Sequence, residues 1–231
     1  MTQTALIVGA GSGISAAFAR ALARDGVKIA LASRSTDKLA ALARETDAAL
    51  IESDASDPKS VERLFGQADG ALGAIDLVLY NASFRVRGPF VDLGAEDVRR
   101  TLTVSAFGGF LVGQAAAKRM LARGQGAIFF TGASASVKGY AQSAPFAMGK
   151  FALHGLAQSM ARELGPKGIH VAHFVIDGGV ASAERGRPAT DAAPDSLLDP
   201  DAIAHTYMSV WKQPRSAWSQ EVELRPWVER F

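Results

Sequence analysis

Three groups of residues in this 231-residue chain could do chemistry. The first is Gly9, Gly11, Ser12, Gly13 and Ile14, within IVGAGSGIS at 7–15. Glycines at this spacing let the backbone turn tightly and bring N–H groups against a pyrophosphate, whose charge favours the start of the following helix. The plainer alternative is a tight strand-to-helix turn with no ligand. The second is Ser33 and Arg34 in LASRSTDKL, where the first acid is Asp37. A site preferring NAD places an acid here to accept from the ribose 2′-hydroxyl, whereas an arginine grips a 2′-phosphate with its charged fork. The reading is NADP(H) in preference to NAD(H), against a surface arginine beside a helix cap. The third is SAPFAMGK at 143–150, where Phe146 and Lys150 stand four residues apart. The lysine can carry a proton; the phenylalanine has none to give.

Other chemistry is excluded by what the chain lacks. It contains no cysteine, so disulfides, thiolate nucleophiles and zinc–thiolate sites are ruled out. The four histidines, His154, His170, His173 and His205, show no HExxH-like spacing, and no metal is expected. His170 and His173 fall in a strand pattern and read as satisfied sheet histidines. Paired carboxylates are absent, and GASAS lacks the closing glycine of a nucleophile elbow. A formal net charge of +2, with basic residues dispersed, argues against nucleic-acid or membrane-surface partners and leaves a small-molecule substrate. The opening MTQTALIVGAGSG reads as a buried strand rather than a leader, and no run approaches ~18 apolar residues, so the expected location is cytoplasmic.

Elements must hold these groups together. Apolar β-branched runs at 4–9, 27–33, 48–53, 74–81, 126–132 and 168–176 read as buried strands. Helical periodicity fills 13–25, 58–72, 95–122 and 143–165, with a last helix near 200–213 and a last strand near 219–225. Such alternation demands parallel pairing with right-handed crossovers. The expected fold is α/β: one Rossmann-type doubly wound domain over 1–231, about seven mostly parallel strands with helices on both faces. The compositional break at 182–196, SAERGRPATDAAPDS, follows the carboxyl end of a strand, where open α/β sheets bind ligands. It reads as a mobile substrate lid, or else as a tolerant surface loop.

With these motifs in order, the whole chain resembles the short-chain dehydrogenase/reductase family. The carriers are Gly9-xxx-Gly13-Ile14, SDASD with Asp54, YNAS at 80–83, FFTGAS at 129–134, Phe146-xxx-Lys150 and IDGGV at 176–180. The resemblance implies that Asp54, with Ala55 beside it, holds the adenine amino group and that Asn81 and Ala82 flank the adenosine ribose. It puts Gly178 and Val180 along the nicotinamide. Ser15 stands where a third glycine is usual, Ser83 where a glycine is, and Asp177 where a proline is.

The family's active site resembles a tetrad of Asn, Ser, Tyr and Lys. Matched residue by residue, the lysine is Lys150, which also clamps the cofactor. The tyrosine position is Phe146, and the asparagine position is Ser105. The serine position falls on Ala133 without gaps and on Ser134 with a shift of one; Ser134 is the candidate, with Ser136 the other serine in reach. A missing general acid costs ~10²–10⁴-fold, so ordinary ketone reduction should be crippled. Tyr140, in the loop before the same helix, could replace it, though it reads more readily as packing. His154, two turns beyond Phe146, is ~12 Å along the axis and too far, so an interface or cap role is expected. Two functions remain open: an NADP(H)-dependent oxidoreductase with a degenerate tetrad acting on a small, largely apolar substrate, and a non-catalytic NADP(H)-binding sensor or partner subunit. Small residues on the helices at 95–122 and 143–165 lead to an expected homodimer or homotetramer.

Overall fold

The computed structural model describes residues 2–182, 184 and 186–229. Its strands are β1 (Thr4–Val8), β2 (Lys28–Ser33), β3 (Ala49–Glu52), β4 (Leu77–Tyr80), β5 (Gly126–Thr131), β6 (Ile169–Ile176) and β7 (Glu221–Leu224). They form one sheet in the order β3-β2-β1-β4-β5-β6-β7, and all six pairings are parallel. Its helices are α1 (Ile14–Arg24), α2 (Ala40–Thr46), α3 (Pro58–Leu72), α4 (Ala95–Leu102), α5 (Gly108–Leu121), α6 (Ala144–Leu164) and α7 (Pro200–Trp211). The expected doubly wound sheet is present. The short α2 was not anticipated, because seven residues carry too little periodicity to register.

The period of two in each strand divides the core. In β1, Ala5 and Ile7 join a cluster with Phe18 of α1 and Tyr207 of α7, while Leu6 and Val8 face a second cluster with Phe65 of α3 and Leu153 of α6. Both sheet faces are therefore covered, which is why the strands read as continuous apolar runs. All eight residues of β6 are buried. On one face, Phe18 and Tyr207 meet edge to face at 5.4 Å, and the Tyr207 hydroxyl lies 3.1 Å from Thr131 Oγ1.

The expected single helix over 95–122 is interrupted. Between α4 and α5, residues Thr103–Phe107 form one π-helical turn. The Tyr80 hydroxyl donates to the Val104 carbonyl of that turn. Close packing holds the bulge in place: a Cβ on Gly108 would lie 2.4 Å from the Tyr80 hydroxyl, and one on Gly149 would lie 3.0 Å from Ser105 Cβ. The turn seats Ser105 against α6, one residue before Lys150.

Candidate active site

The carboxyl ends of the strands open into one cleft of ≈ 920 Å³. Apart from Ser105 and Ser136, the residues singled out from the sequence for cofactor or catalysis line it, from the glycine-rich loop to Phe146, Lys150 and Val180. This is the crevice that a doubly wound sheet leaves where its strand order reverses beside β1.

At one end the loop after β1 forms an anion cradle. Gly9 has φ +80°, and a Cβ there would sit 2.3 Å from the Ala82 backbone nitrogen, so only glycine fits. Gly11 and Gly13 differ: a Cβ on either would meet nothing within 4 Å, so both face open space. No acid stands in the first turn of α1, which leaves its positive end uncompensated. Ser15 is buried and ties the loop down. Its hydroxyl donates to the Gly9 carbonyl at 3.3 Å and accepts from Asn81 Nδ2 at 2.8 Å. The serine that departs from a third glycine is thus a structural brace.

Further along, Ser33 and the exposed Arg34 end β2, and Asp54 and Ala55 follow β3. Burial pushes the Asp54 carboxyl up, but hydrogen bonds from the Ser56 hydroxyl (2.6 Å) and amide (2.9 Å), then the Arg34 charge, leave it below its ordinary value. Arg34 makes no ion pair among the described residues and stays available to an incoming anion.

At the other end, Lys150 is buried, and its ammonium donates to the Thr131 carbonyl at 2.7 Å. Burial lowers its pKa to about 8. Its Nζ lies 5.9 Å from the centroid of the half-buried Phe146 ring, whose face carries the Arg85 guanidinium at 4.8 Å. Ser134 is half-buried on the cleft wall. Ser136 is fully buried outside the lining, and its hydroxyl accepts from the Ala133 amide at 3.1 Å. Of the two serines, Ser134 is the one placed to meet a ligand. Tyr140 also lines the cleft and is 45% exposed, so it is not the packing residue expected. Ser105 lies outside the lining, fully buried, with its hydroxyl unpartnered among the described residues.

Two histidine expectations change. His170 is satisfied as expected: its Nε2 lies 2.9 Å from the Ser219 carbonyl, and its ring stacks on Trp218 at 4.7 Å. His173 is fully buried, yet neither ring nitrogen has a hydrogen-bond partner among the described residues, though Nδ1 lies 3.6 Å from a Glu221 carboxylate oxygen. Burial, then the neighbouring His154 and Lys150, lower its pKa to about 3. His154 turns inward rather than serving a cap. It stacks on His173 at 4.6 Å, its Nδ1 lies 3.2 Å from the Ser136 carbonyl, and its Nε2 meets the Glu221 carboxylate. The nitrogens of both histidines and a Glu221 oxygen lie within 4.8 Å of one another, a convergence hidden from the sequence because Glu221 arrives on β7.

Sequence reasoning also missed Arg85, Arg87, Ser143, Arg187 and Glu229, which complete the cleft wall. The arginines follow β4 or sit in the 182–196 segment, where no periodicity reveals direction. Within that segment Ala183 and Arg185 lie outside the described residues, Ser182 pairs with Arg187, and the Ser12 hydroxyl donates to Glu184 Oε2 at 2.5 Å.

Comparison with known proteins agrees with this architecture. A short-chain dehydrogenase/reductase of Armillaria gallica is 34% identical over 180 residues, covering 74% of this chain and 69% of that protein. The crystal structure of a short-chain dehydrogenase from Rhodopseudomonas palustris matches with TM-score 0.83 and 34% identity, over 97% of this chain and 99% of that one. An alcohol dehydrogenase from the archaeon Thermococcus sibiricus, complexed with 5-hydroxy-NADP, matches with TM-score 0.89 and 26% identity, over 100% and 99%. Residues 3–189 match the short chain dehydrogenase family as a whole, and the chain belongs to that family.

Proposed function

We propose that the protein is an NADP(H)-dependent oxidoreductase that reduces a carbonyl group without a tyrosine acid. The observation that carries this reading is the convergence, in one cleft, of an open glycine cradle, the unpaired Arg34 and the buried Lys150. The residues fit the cofactor: Gly11 and Gly13 leave space for a pyrophosphate, Arg34 suits a 2′-phosphate, and Asp54 with Asn81 and Ala82 lies between. Gly178 and Val180 would follow the nicotinamide. NADPH bound there supplies a hydride to the carbonyl carbon.

The carbonyl oxygen then takes up the electron pair of its former double bond and needs one proton to become a hydroxyl. Phe146, in the family's tyrosine position, cannot give it. Lys150 lines the cleft with one N–H on the Thr131 carbonyl, and a pKa of about 8 suits proton transfer near neutrality. Lys150 therefore holds the proton, and the Ser134 hydroxyl orients the substrate oxygen. The 182–196 segment serves as lid, which its reach from Ser182 across to Ser12 supports.

Large apolar side chains left exposed on or beside α5 and α6, Phe107, Phe110, Met148 and Phe151, support two-fold assembly into a dimer or tetramer. No helix among the described residues is long and apolar enough to cross a membrane. The second reading, a non-catalytic binder, draws on the Phe146 ring and on the orphaned Ser105 hydroxyl. A screen of carbonyl compounds for NADPH oxidation, with NADPH binding measured in parallel by calorimetry, separates the two. Binding without any turnover selects the second reading, and no binding of either nucleotide removes both.

A further inference from the structure

The substrate end of the cleft is built around positive charge. Arg85 and Arg87 come from the loop after β4, and Arg187 from the segment after β6; all three line the cleft. The Arg85 guanidinium is held over the Phe146 ring at 4.8 Å, and Arg187 Nη1 lies 3.2 Å from where a Cβ on Gly179 would be, beside the strand end assigned to the nicotinamide. None of the three guanidinium groups makes an ion pair or hydrogen bond among the described residues. Burial, then the charges of Arg87 and Arg187, lower the Arg85 pKa, so both of those charges reach Arg85. The acids of the cleft are placed elsewhere or are too few. Asp54 is at the adenine end, Glu184 is on Ser12, Asp177 is bonded to Lys138 at 3.2 Å, and Glu229 alone remains near Gly178.

Like charges gathered without partners are unfavourable in the free protein. A ring beneath Arg85 restores part of that cost through its π face and fixes the guanidinium plane. What such an arrangement recognises is a planar or tetrahedral oxyanion, which accepts from two N–H groups of an arginine at once. We propose that the substrate carries an oxyanion group, a carboxylate or a phosphate, gripped by Arg85 with Arg87 and Arg187 beside Phe146. This deepens the oxidoreductase reading and rests on it only for the reaction, not for the binding. It replaces the expectation of a largely apolar substrate. Phe146 then has a role as the platform for Arg85, which a hydroxyl is not needed to fill.

The test uses the full chain saturated with NADP⁺, so that nothing turns over. Succinate, methyl phosphate and the neutral dimethyl succinate are titrated calorimetrically, first into the wild type. The tighter of the two anions is then titrated into Arg85→Gln, Arg87→Gln and Arg187→Gln, with folding checked by thermal melting. At least one anion should bind while dimethyl succinate does not, which also tells carboxylate from phosphate. Arg85→Gln should weaken that anion ~10-fold or more, as expected for a charge-assisted pair, and leave NADP⁺ affinity within about 3-fold. The proposal is overturned if neither anion binds or if the ester binds as well. Unchanged anion affinity in Arg85→Gln, or an equal loss of NADP⁺ affinity that would assign the arginines to the cofactor's phosphates, overturns it too. The reaction is tested apart, with 2-oxo acids against their methyl esters. Esters reduced in preference to acids would sink the anion proposal and keep the oxidoreductase; no reduction of either, with anions still bound, would do the reverse.

Discussion

The guanidinium of Arg85 lies 4.8 Å from the centroid of the Phe146 ring, and Lys150 Nζ lies 5.9 Å from the same point. Phe146 thus has two cations within 6 Å of its ring. A phenol placed there would find its ionised form favoured by both charges. Phe146→Tyr should accordingly create or raise NADPH-dependent reduction of simple ketones by ~10-fold or more. The gain falls short of a full general acid because Ala133 and Ser105 also depart from the family pattern. Nucleotide affinity should hardly move, since the ring makes no polar contact. Steady-state rates and NADPH titrations on both proteins decide it; unchanged activity on every ketone, with cofactor still bound, would count against proton supply as the missing element.

Arg34 should set the choice of nucleotide. A hydrogen bond to a charged group contributes ~1.5–3 kcal/mol, so Arg34→Ala should weaken NADPH roughly 10–100-fold and spare NADH. Calorimetry with both nucleotides is the measurement. Equal losses, or a wild type that prefers NADH, would remove Arg34 from the 2′-phosphate.

Two glycines of one loop should fail in different ways. Gly9→Ala forces a Cβ into the Ala82 backbone at φ +80°, and should lower stability by ~2 kcal/mol or more in urea unfolding. Gly11→Ala meets nothing in the protein, so its melting should match wild type while NADPH binding weakens on the order of 10-fold. A destabilised Gly11→Ala that still binds NADPH normally would contradict the cradle.

The depressed Lys150 pKa makes stability depend on pH. The folded value is about 8 and the ordinary value 10.5. Between them the unfolded chain binds the extra proton, so the wild type gains stability as pH rises through this window. Measured against Lys150→Met, which has no charge to bury, the gain should approach about 3 kcal/mol by pH 10.5 and be absent below pH 7. Parallel urea titrations at pH 7, 9 and 10 read this difference directly. A flat difference would mean that the ammonium is solvated in the native protein.

Self-association is read by light scattering at micromolar concentration. A dimer or tetramer mass is expected, and Phe110→Glu with Phe151→Glu should shift it toward monomer without unfolding the chain. A monomeric wild type would sink the assembly.

The sheet and the glycine-rich loop were legible in the sequence because each rests on local pattern. A buried parallel strand is a short apolar run, and the loop from Gly9 to Gly13 lies between one such run and a helix. The far wall of the cleft was not legible for the opposite reason. Arg85, Arg87 and Arg187 reach the cleft from irregular segments, where the backbone path follows no period. The pairing of His154 with Glu221 spans 67 residues and depends on β7 docking beside β6. His173 looked like an ordinary strand residue, and its close packing against Gly132, where a Cβ would come within 2.3 Å of Nε2, shows why that nitrogen has no hydrogen-bond partner among the described residues. The π turn at Thr103–Phe107 had no trace in a helix pattern that runs through it.

The hydroxyl of Ser12 donates to Glu184, so a carboxylate rests on the loop whose amides suit a pyrophosphate. Two anions cannot share that loop. On the proposed NADP(H) reading, an incoming nucleotide would displace Glu184, and its observed association rate would level off with concentration at the rate at which that contact opens. The same contact gives departure a driving force, since the freed carboxylate can reclaim the serine as soon as the phosphates lift away. On that reading, nucleotide exchange at this loop would be the substitution of one anion for another at Ser12.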